Sequence, residues 1–217
     1  MATNKIHLNF SGHSDTINDA FFSYAERSLI TGSSDRTIRQ WDFQKGFSNK
    51  TYNCSSSCFC LDSQHSENMF VSGHFDNALR FWSIRADKQV HLIENYHTDA
   101  ITSVNFTRNE HLLLTLSRDH TAKLLDVRTY QCIDTFEHDL FVNSSNTLRA
   151  SISANGKYGV FGSRNGTVLI VNISQAGIRF EEAFEEKHFE MVQAVQWQPD
   201  GNKFASIDTG GNLMIWE

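Results

Sequence analysis

Cys54, Cys58 and Cys60 fall within seven residues of one another, and His65 follows closely. Thiolate and imidazole ligands are what a tetrahedral zinc ion requires. The spacing does not suit the metal, because no second closely spaced cysteine pair exists and Cys132 stands alone. A hydrolase would need paired carboxylates, and the chain has 25 acidic residues and 10 histidines from which to draw them. Both readings are displaced by the order of these residues along the chain, which is periodic.

Trp41-Asp42, Trp82-Ser83 and Trp216-Glu217 each end a short apolar segment, and Leu125-Asp126 and Val171-Asn172 end two more of the same shape. The closing positions are 41, 43, 46 and 45 residues apart, the period of a four-stranded propeller blade. Six residues before each stand Asp35, Asp76, Asp119, Asn165 and Gly210, and four residues earlier again Thr31, Ser72, Thr115, Phe161 and Ser206. A histidine precedes three closing positions by 28 residues: His13, His97 and His188.

These residue types resemble the WD40 structural tetrad, in which His, Ser or Thr, Asp and Trp form a buried hydrogen-bonded chain. A buried carboxylate is costly unless paired, and imidazole can link it to a hydroxyl that also receives the indole N–H. The tetrad residues expected here are His13, Thr31, Asp35 and Trp41; Ser72, Asp76 and Trp82; His97, Thr115 and Asp119; and His188, Ser206 and Trp216. The spacing therefore assigns Asp35, Asp76 and Asp119 to structural turns, and Cys58 to a small core position.

Each repeat then reads as four antiparallel strands. The first is marked by apolar residues four, seven and nine positions beyond the histidine, as in Ile17, Ala20 and Phe22, or Ile101, Val104 and Phe106, or Val192, Val195 and Trp197. The period is two with a slip. Asn155-Gly156 and Pro199-Asp200-Gly201 supply hairpin turns. The fourth repeat keeps register only with an insertion after His138, expected as a loop around residues 141–145. The chain is thus predicted to be one all-β domain, residues 1–217, a propeller of five repeats closed by an N-terminal strand over residues 5–10 or left as an open partial ring.

In such a blade the turn before the third strand and the loop before the first strand open on one end of the ring. Ser34, Phe75, Arg118, Arg164 and Thr209, each just ahead of the turn position, are therefore the candidate partner-binding face. An exposed Phe75 beside two arginines from consecutive blades has the composition of a binding hot spot. The acidic run EEAFEEKHFE at residues 181–190, with a local charge of −4, is read as a solvated edge and loop.

The formal net charge of −6 offers no general basic field, so nucleic-acid binding is not expected. No apolar stretch is long enough to cross a bilayer. The cysteine pattern and the absence of an N-terminal charged-then-apolar signal point to a reducing compartment, hence a cytoplasmic protein.

The segment Ser72 to Arg85, SGHFDNALRFWSIR, with LLLTLSRDHTAKLLDVRTYQCIDTF after it, resembles the C-terminal propeller of the autophagy-related protein sixteen family. Gly73-His74-Phe75-Asp76 with Arg80-Phe81-Trp82, the missing Trp in the next blade and the insertion after it carry the resemblance, which spans Ser11 to Trp216. It corresponds to the last five of seven family blades. It implies a non-catalytic scaffold that recruits protein partners, among them autophagy lipidation machinery or membrane-bound receptors, and so directs ubiquitin-like lipidation at membranes. It also implies peripheral recruitment to autophagic or endolysosomal membranes. No cofactor, metal or catalytic residue is expected. A generic WD40 adaptor, such as a substrate receptor of a ubiquitin ligase, is the alternative; a five-bladed carbohydrate-active enzyme would instead need carboxylates clustered around the axis.

Overall fold

A computed structural model describes residues 9–23, 28–44, 46–64, 66, 69–86, 88–174, 176–184, 188–199 and 203–217. All regular structure among them is antiparallel β, in five sheets. The first blade comprises β1 (Ile17–Ser23), β2 (Ser28–Ser33), β3 (Thr37–Asp42) and β4 (Ser48–Asn53), and the second β5 (Cys58–Ser63), β6 (Met69–His74), β7 (Leu79–Ser83) and β8 (Lys88–Ile93). The third comprises β9 (Ile101–Phe106), β10 (Leu112–Ser117), β11 (Ala122–Asp126) and β12 (Gln131–Phe136), and the fourth β13 (Ala150–Ile152), β14 (Tyr158–Gly162), β15 (Val168–Ser174) and β16 (Gly177–Ala183). The fifth contributes β17 (Val192–Trp197), β18 (Phe204–Asp208) and β19 (Leu213–Trp216). Strands pair with their sequence neighbours in every sheet, so the molecule is a five-bladed β-propeller, as the period predicts.

Residues 1–8 lie outside the described set, and with them most of the strand expected over 5–10. Phe10 is described, and its ring sits 5.5 Å from that of Trp41 in the first blade.

Blades pack flank to flank through apolar side chains that alternate along each strand. Cys60, Val71, Leu79 and Phe81 of the second blade meet Ile101, Val104 and Phe106 of the third, while Leu112, Leu114, Leu116, Ala122 and Leu124 face the fourth. Cys58 packs toward the first blade and Cys60 toward the third, so the two thiols leave opposite flanks of one sheet. That geometry keeps the two thiols off a common face. His65 is outside the described residues.

The slip in the inner-strand pattern is a β-bulge. Asn18, Phe59, Thr102 and Gln193 are each skipped in the pairing with the next strand. Arg149, just ahead of β13, collects the carbonyls so released. Its guanidinium donates to the carbonyl oxygens of Thr102 at 2.5 Å, Phe59 at 2.9 Å and Asn18 at 3.2 Å, and its backbone N–H donates to that of Gln193 at 3.2 Å. One residue of the fourth blade thereby joins all the others. Around it lies an axial cavity of about 340 Å³ bordered by inner strands of every blade.

A second set of bonds passes from each inner strand to the next. Leu61 N–H donates to Asp19 at 2.8 Å, Phe106 N–H to Asp62 at 2.7 Å, Ala150 N–H to Ser103 at 3.1 Å and Trp197 N–H to Ser151 at 3.0 Å. The carboxylates nearest the axis, Asp19 and Asp62, are thus spent on bracing. Burial raises both of them, Asp62 to about 7.

The insertion ahead of β13 is not a surface loop throughout. Phe141 is buried 4.8 Å from Phe161, ring edge to face, and Asn143 is buried with its amide donating to Thr102 Oγ1 and the Ser117 carbonyl at 2.9 and 3.0 Å. Because Phe161 occupies the position of the tetrad hydroxyl, Phe141 replaces a hydrogen-bonded chain with an aromatic pair.

Candidate interaction face

In the first blade His13 Nδ1 lies 2.8 Å from Asp35 Oδ2, His13 Nε2 lies 2.7 Å from Thr31 Oγ1, and Trp41 Nε1 donates to the same hydroxyl at 2.8 Å. One assignment of protons satisfies every atom: indole to hydroxyl, hydroxyl to Nε2, Nδ1–H to carboxylate. Burial pushes Asp35 up, but bonds from Thr37, His13 and the Ser14 amide outweigh it and hold the carboxyl well below the usual range. The third blade repeats the chain through His97, Asp119 and Thr115 at 2.9 and 2.8 Å, with Leu125 where the indole would be.

The second blade is wired differently. Cys54 stands at the histidine position, and His74, from the same strand as Ser72, supplies the imidazole: its Nε2 is 2.7 Å from Ser72 Oγ, which accepts the Trp82 indole N–H at 2.8 Å. Asp76 is left out of this chain. It instead receives Arg80 through both terminal nitrogens at 3.0 and 2.6 Å, and Arg80 also bonds Ser55. Burial, with the Arg80 charge beside it, lowers His74 to about 4.

In the fifth blade the carboxylate comes from Asp208, at the end of β18, while Gly210 occupies the spacing of the turn aspartate. Asp208 Oδ2 is 2.9 Å from His188 Nδ1, and His188 Nε2 is 2.6 Å from Ser206 Oγ, which takes the Trp216 N–H at 2.7 Å. Bonds from the side chain and backbone of Asn212, and from His188, hold Asp208 down at about 2. The sequence signal for this substitution is Asn212, four residues on, where a turn amide can fix the displaced carboxylate.

These networks lie beside the turns that carry the candidate face residues of the first, second, third and fifth blades, and the Phe141–Phe161 pair takes their place in the fourth. All five make the same backbone bond: Ser34 N–H donates to the Thr16 carbonyl, Phe75 to Ser57, Arg118 to Ala100, Arg164 to Val142 and Thr209 to Met191, at 2.8–3.0 Å. They are therefore equivalent points on one end of the propeller. Phe75 is exposed, and its ring stands edge-on to buried Phe59 at 6.0 Å. Arg118 and Arg164 border one shallow groove with Ser144, Asn146, Thr147 and Met191, about 640 Å³ in volume. Arg118 is steadied by Asn146 at 3.2 Å and Asp99 at 3.7 Å. Ser34, Phe75 and Thr209 lie outside that groove.

A repeated blade, a His-to-Trp hydrogen-bond chain and a presented loop end define a WD-repeat propeller. The family model described as WD domain, G-beta repeat matches residues 4–42, 46–83 and 88–126, and the chain belongs to that family. Protein tipD of Dictyostelium discoideum is 34% identical over 95% of this chain and 34% of its own length. Autophagy-related protein 16 of Arabidopsis thaliana is 28% identical over the whole chain and 42% of its own, and Protein Atg16l2 of Mus musculus 31% identical over 79% of this chain and 27% of its own. Autophagy protein 16 homologues thus cover the chain, consistent with the propeller of that family, as the resemblance implies. The chain spans less than half the length of these relatives.

Proposed function

We propose that this propeller is a non-catalytic scaffold that recruits protein partners through its loop end, in an autophagy-related process directing ubiquitin-like lipidation at membranes. The observation that carries this is the contrast between interior and face. The imidazoles and carboxylates of the tetrads, and both axial aspartates, are committed to internal bonds, whereas Phe75 and Arg164 are presented to solvent. A catalytic centre would need uncommitted acids or bases, and a recruiting face needs an aromatic anchor with charged neighbours. Names of relatives that include autophagy support the process. Recruitment to membranes would be peripheral, through partners; among the described residues no helix is long and apolar enough to cross a bilayer.

Affinity purification with mass spectrometry tests this reading, comparing the wild-type chain with a Phe75→Ala, Arg118→Glu, Arg164→Glu variant. Lipidation machinery, proton-pump subunits or membrane receptors recovered by the wild type and lost by the variant would support it. Cullin adaptors recovered in their place would move the reading to a ubiquitin-ligase substrate receptor.

A further inference from the structure

The insertion ahead of β13 gives the fourth blade a polar wall at the loop end, and that wall is pinned from beneath. The Asn143 backbone N–H donates to His120 Nδ1 at 3.1 Å, the Asn143 side-chain oxygen accepts the Ser145 N–H at 3.2 Å, and the Asn146 carbonyl accepts from Arg149 at 3.0 Å. Leu148 ends the segment fully buried. Between these anchors Ser144, Asn146 and Thr147 are exposed. A segment held at both ends has its shape before a partner arrives, and binding then costs less in ordering.

The wall borders the groove of about 640 Å³ that Arg118 and Arg164 also line. In a chain of formal charge −6, the charged residues lining this groove are both cationic. Arg164 is exposed, and among the described residues it makes only its backbone bond. Arg118 donates to the Asn146 side chain at 3.2 Å, within the wall itself, and meets Asp99 only at 3.7 Å. Glu190, next to the groove residue Met191, lies against Gly210 instead. A carboxylate is filled by one guanidinium fork. A phosphoryl group carries nearly two charges on three acceptor oxygens, so it can engage two forks and a hydroxyl together.

One end of the groove adds an apolar element. Phe189, two residues before Met191, is 96% exposed. It stands just after the tetrad histidine of its blade. Ser14 and Thr98 hold that place in the first and third blades, and Ser55 follows Cys54 in the second. All three are exposed although another blade packs beyond theirs, so exposure belongs to the position and not to the end of the chain. Of these four residues Phe189 alone is aromatic, and a ring presented beside arginines is the composition of a binding hot spot.

We infer that this groove takes a phosphorylated side chain of a partner protein. Arg118 and Arg164 grip the phosphoryl oxygens, the wall hydroxyls complete their hydrogen bonds, and Phe189 with Met191 covers an apolar residue beside the phosphorylated one. The inference rests on the reading of the loop end as a recruiting face, and names what that face takes.

Immobilised degenerate peptide pools with phosphoserine, phosphotyrosine, glutamate or serine fixed at the centre test this. A phosphorylated pool is expected to retain the full chain at least about tenfold better than the glutamate or serine pool. Arg118→Gln and Arg164→Gln should each reduce that retention and together abolish it, with melting curves that match wild type. Phe189→Ser should keep the preference for phosphate and lose the selection of an apolar neighbour, read by sequencing the retained peptides. Equal retention on glutamate overturns the inference, as does retention that survives the double substitution, or none above the serine pool. Capture from cell lysate with and without phosphatase separates this from the broader reading. Partners lost by the Phe75→Ala, Arg118→Glu, Arg164→Glu variant but indifferent to phosphatase leave the recruiting face standing and remove the phosphoryl group; partners indifferent to both remove the face as well.

Discussion

The guanidinium of Arg149 donates to the carbonyl oxygen of Phe59, 90 residues earlier in the chain, at 2.9 Å. The same side chain holds the carbonyls of Asn18, Thr102 and Asn146. A bulge that bends an inner strand leaves a carbonyl without its ladder partner, and a charged donor is the strongest single replacement. Arg149→Met is expected to destabilise the propeller by about 3 kcal/mol, since hydrogen bonds to charged groups are each worth roughly 1.5–3 kcal/mol and their loss is not additive. Arg149→Lys should recover little of it, because an ammonium cannot span the same acceptors. Urea denaturation of the three proteins checks both statements.

The fifth-blade network assigns its carboxylate to Asp208. Asp208→Ala should lower the melting temperature clearly, by unpairing His188 inside the blade. Gly210→Ala should cost much less, the added Cβ meeting side-chain atoms of Glu190, Asn212 and Asp208 at 3.2–3.3 Å and no backbone. Equal effects of the two substitutions would count against the assignment.

Asp62 gives stability a definite dependence on pH. Its folded value, about 7, lies above the ordinary value of 3.8, so its contribution is fully present below pH 3.8 and is lost as pH rises through 7. Asp62→Asn keeps an acceptor for Phe106 and removes the titration. The stability of this variant relative to wild type should therefore grow between about pH 4 and 7 and level off above. His74 acts in the opposite sense. Its value is lowered from 6.5 to about 4, so its contribution is present above pH 6.5 and is lost as pH falls through 4. Melting curves at closely spaced pH, for wild type and Asp62→Asn, check the window.

Reversal of charge at Arg118 and Arg164 should leave folding intact, because Arg164 is exposed and among the described residues makes only a backbone bond, and Arg118 holds exposed groups. Binding of a partner to this groove should weaken about 30-fold or more if the pair forms a hot spot. An equilibrium titration with a partner recovered from cells, alongside a melting curve, separates a binding loss from unfolding.

Thiol chemistry provides a simple report on packing. Cys132 is exposed, Cys58 and Cys60 are buried, and burial pushes Cys54 up to about 12. One rapid reaction with a maleimide at pH 7 is expected, at Cys132, with Cys58 and Cys60 reacting only on unfolding. Mass spectrometry of the labelled peptides identifies the order.

The blade period and the first and third tetrads are legible in the sequence because their partners must recur at fixed separations. His74 is harder to find, since it replaces a residue in the preceding loop from two positions along the strand that holds Ser72. Asp208 is hidden by the same kind of local exchange. Phe141 lies in an insertion where the period offers no register. Arg149 leaves no periodic trace at all, because its partners are backbone carbonyls, most of them freed by bulges, and a residue of any type has a carbonyl to accept the bond.

In each of the four bonds that brace successive inner strands, the acceptor precedes the donor in the chain: Asp19 before Leu61, Asp62 before Phe106, Ser103 before Ala150 and Ser151 before Trp197. During synthesis the N-terminal part of a chain emerges first. Each of the second to fifth blades therefore leaves the ribosome after the group that will receive its amide, and the propeller can be laid down one blade at a time in the order of translation, with Arg149 arriving in the fourth to tie the earlier three together.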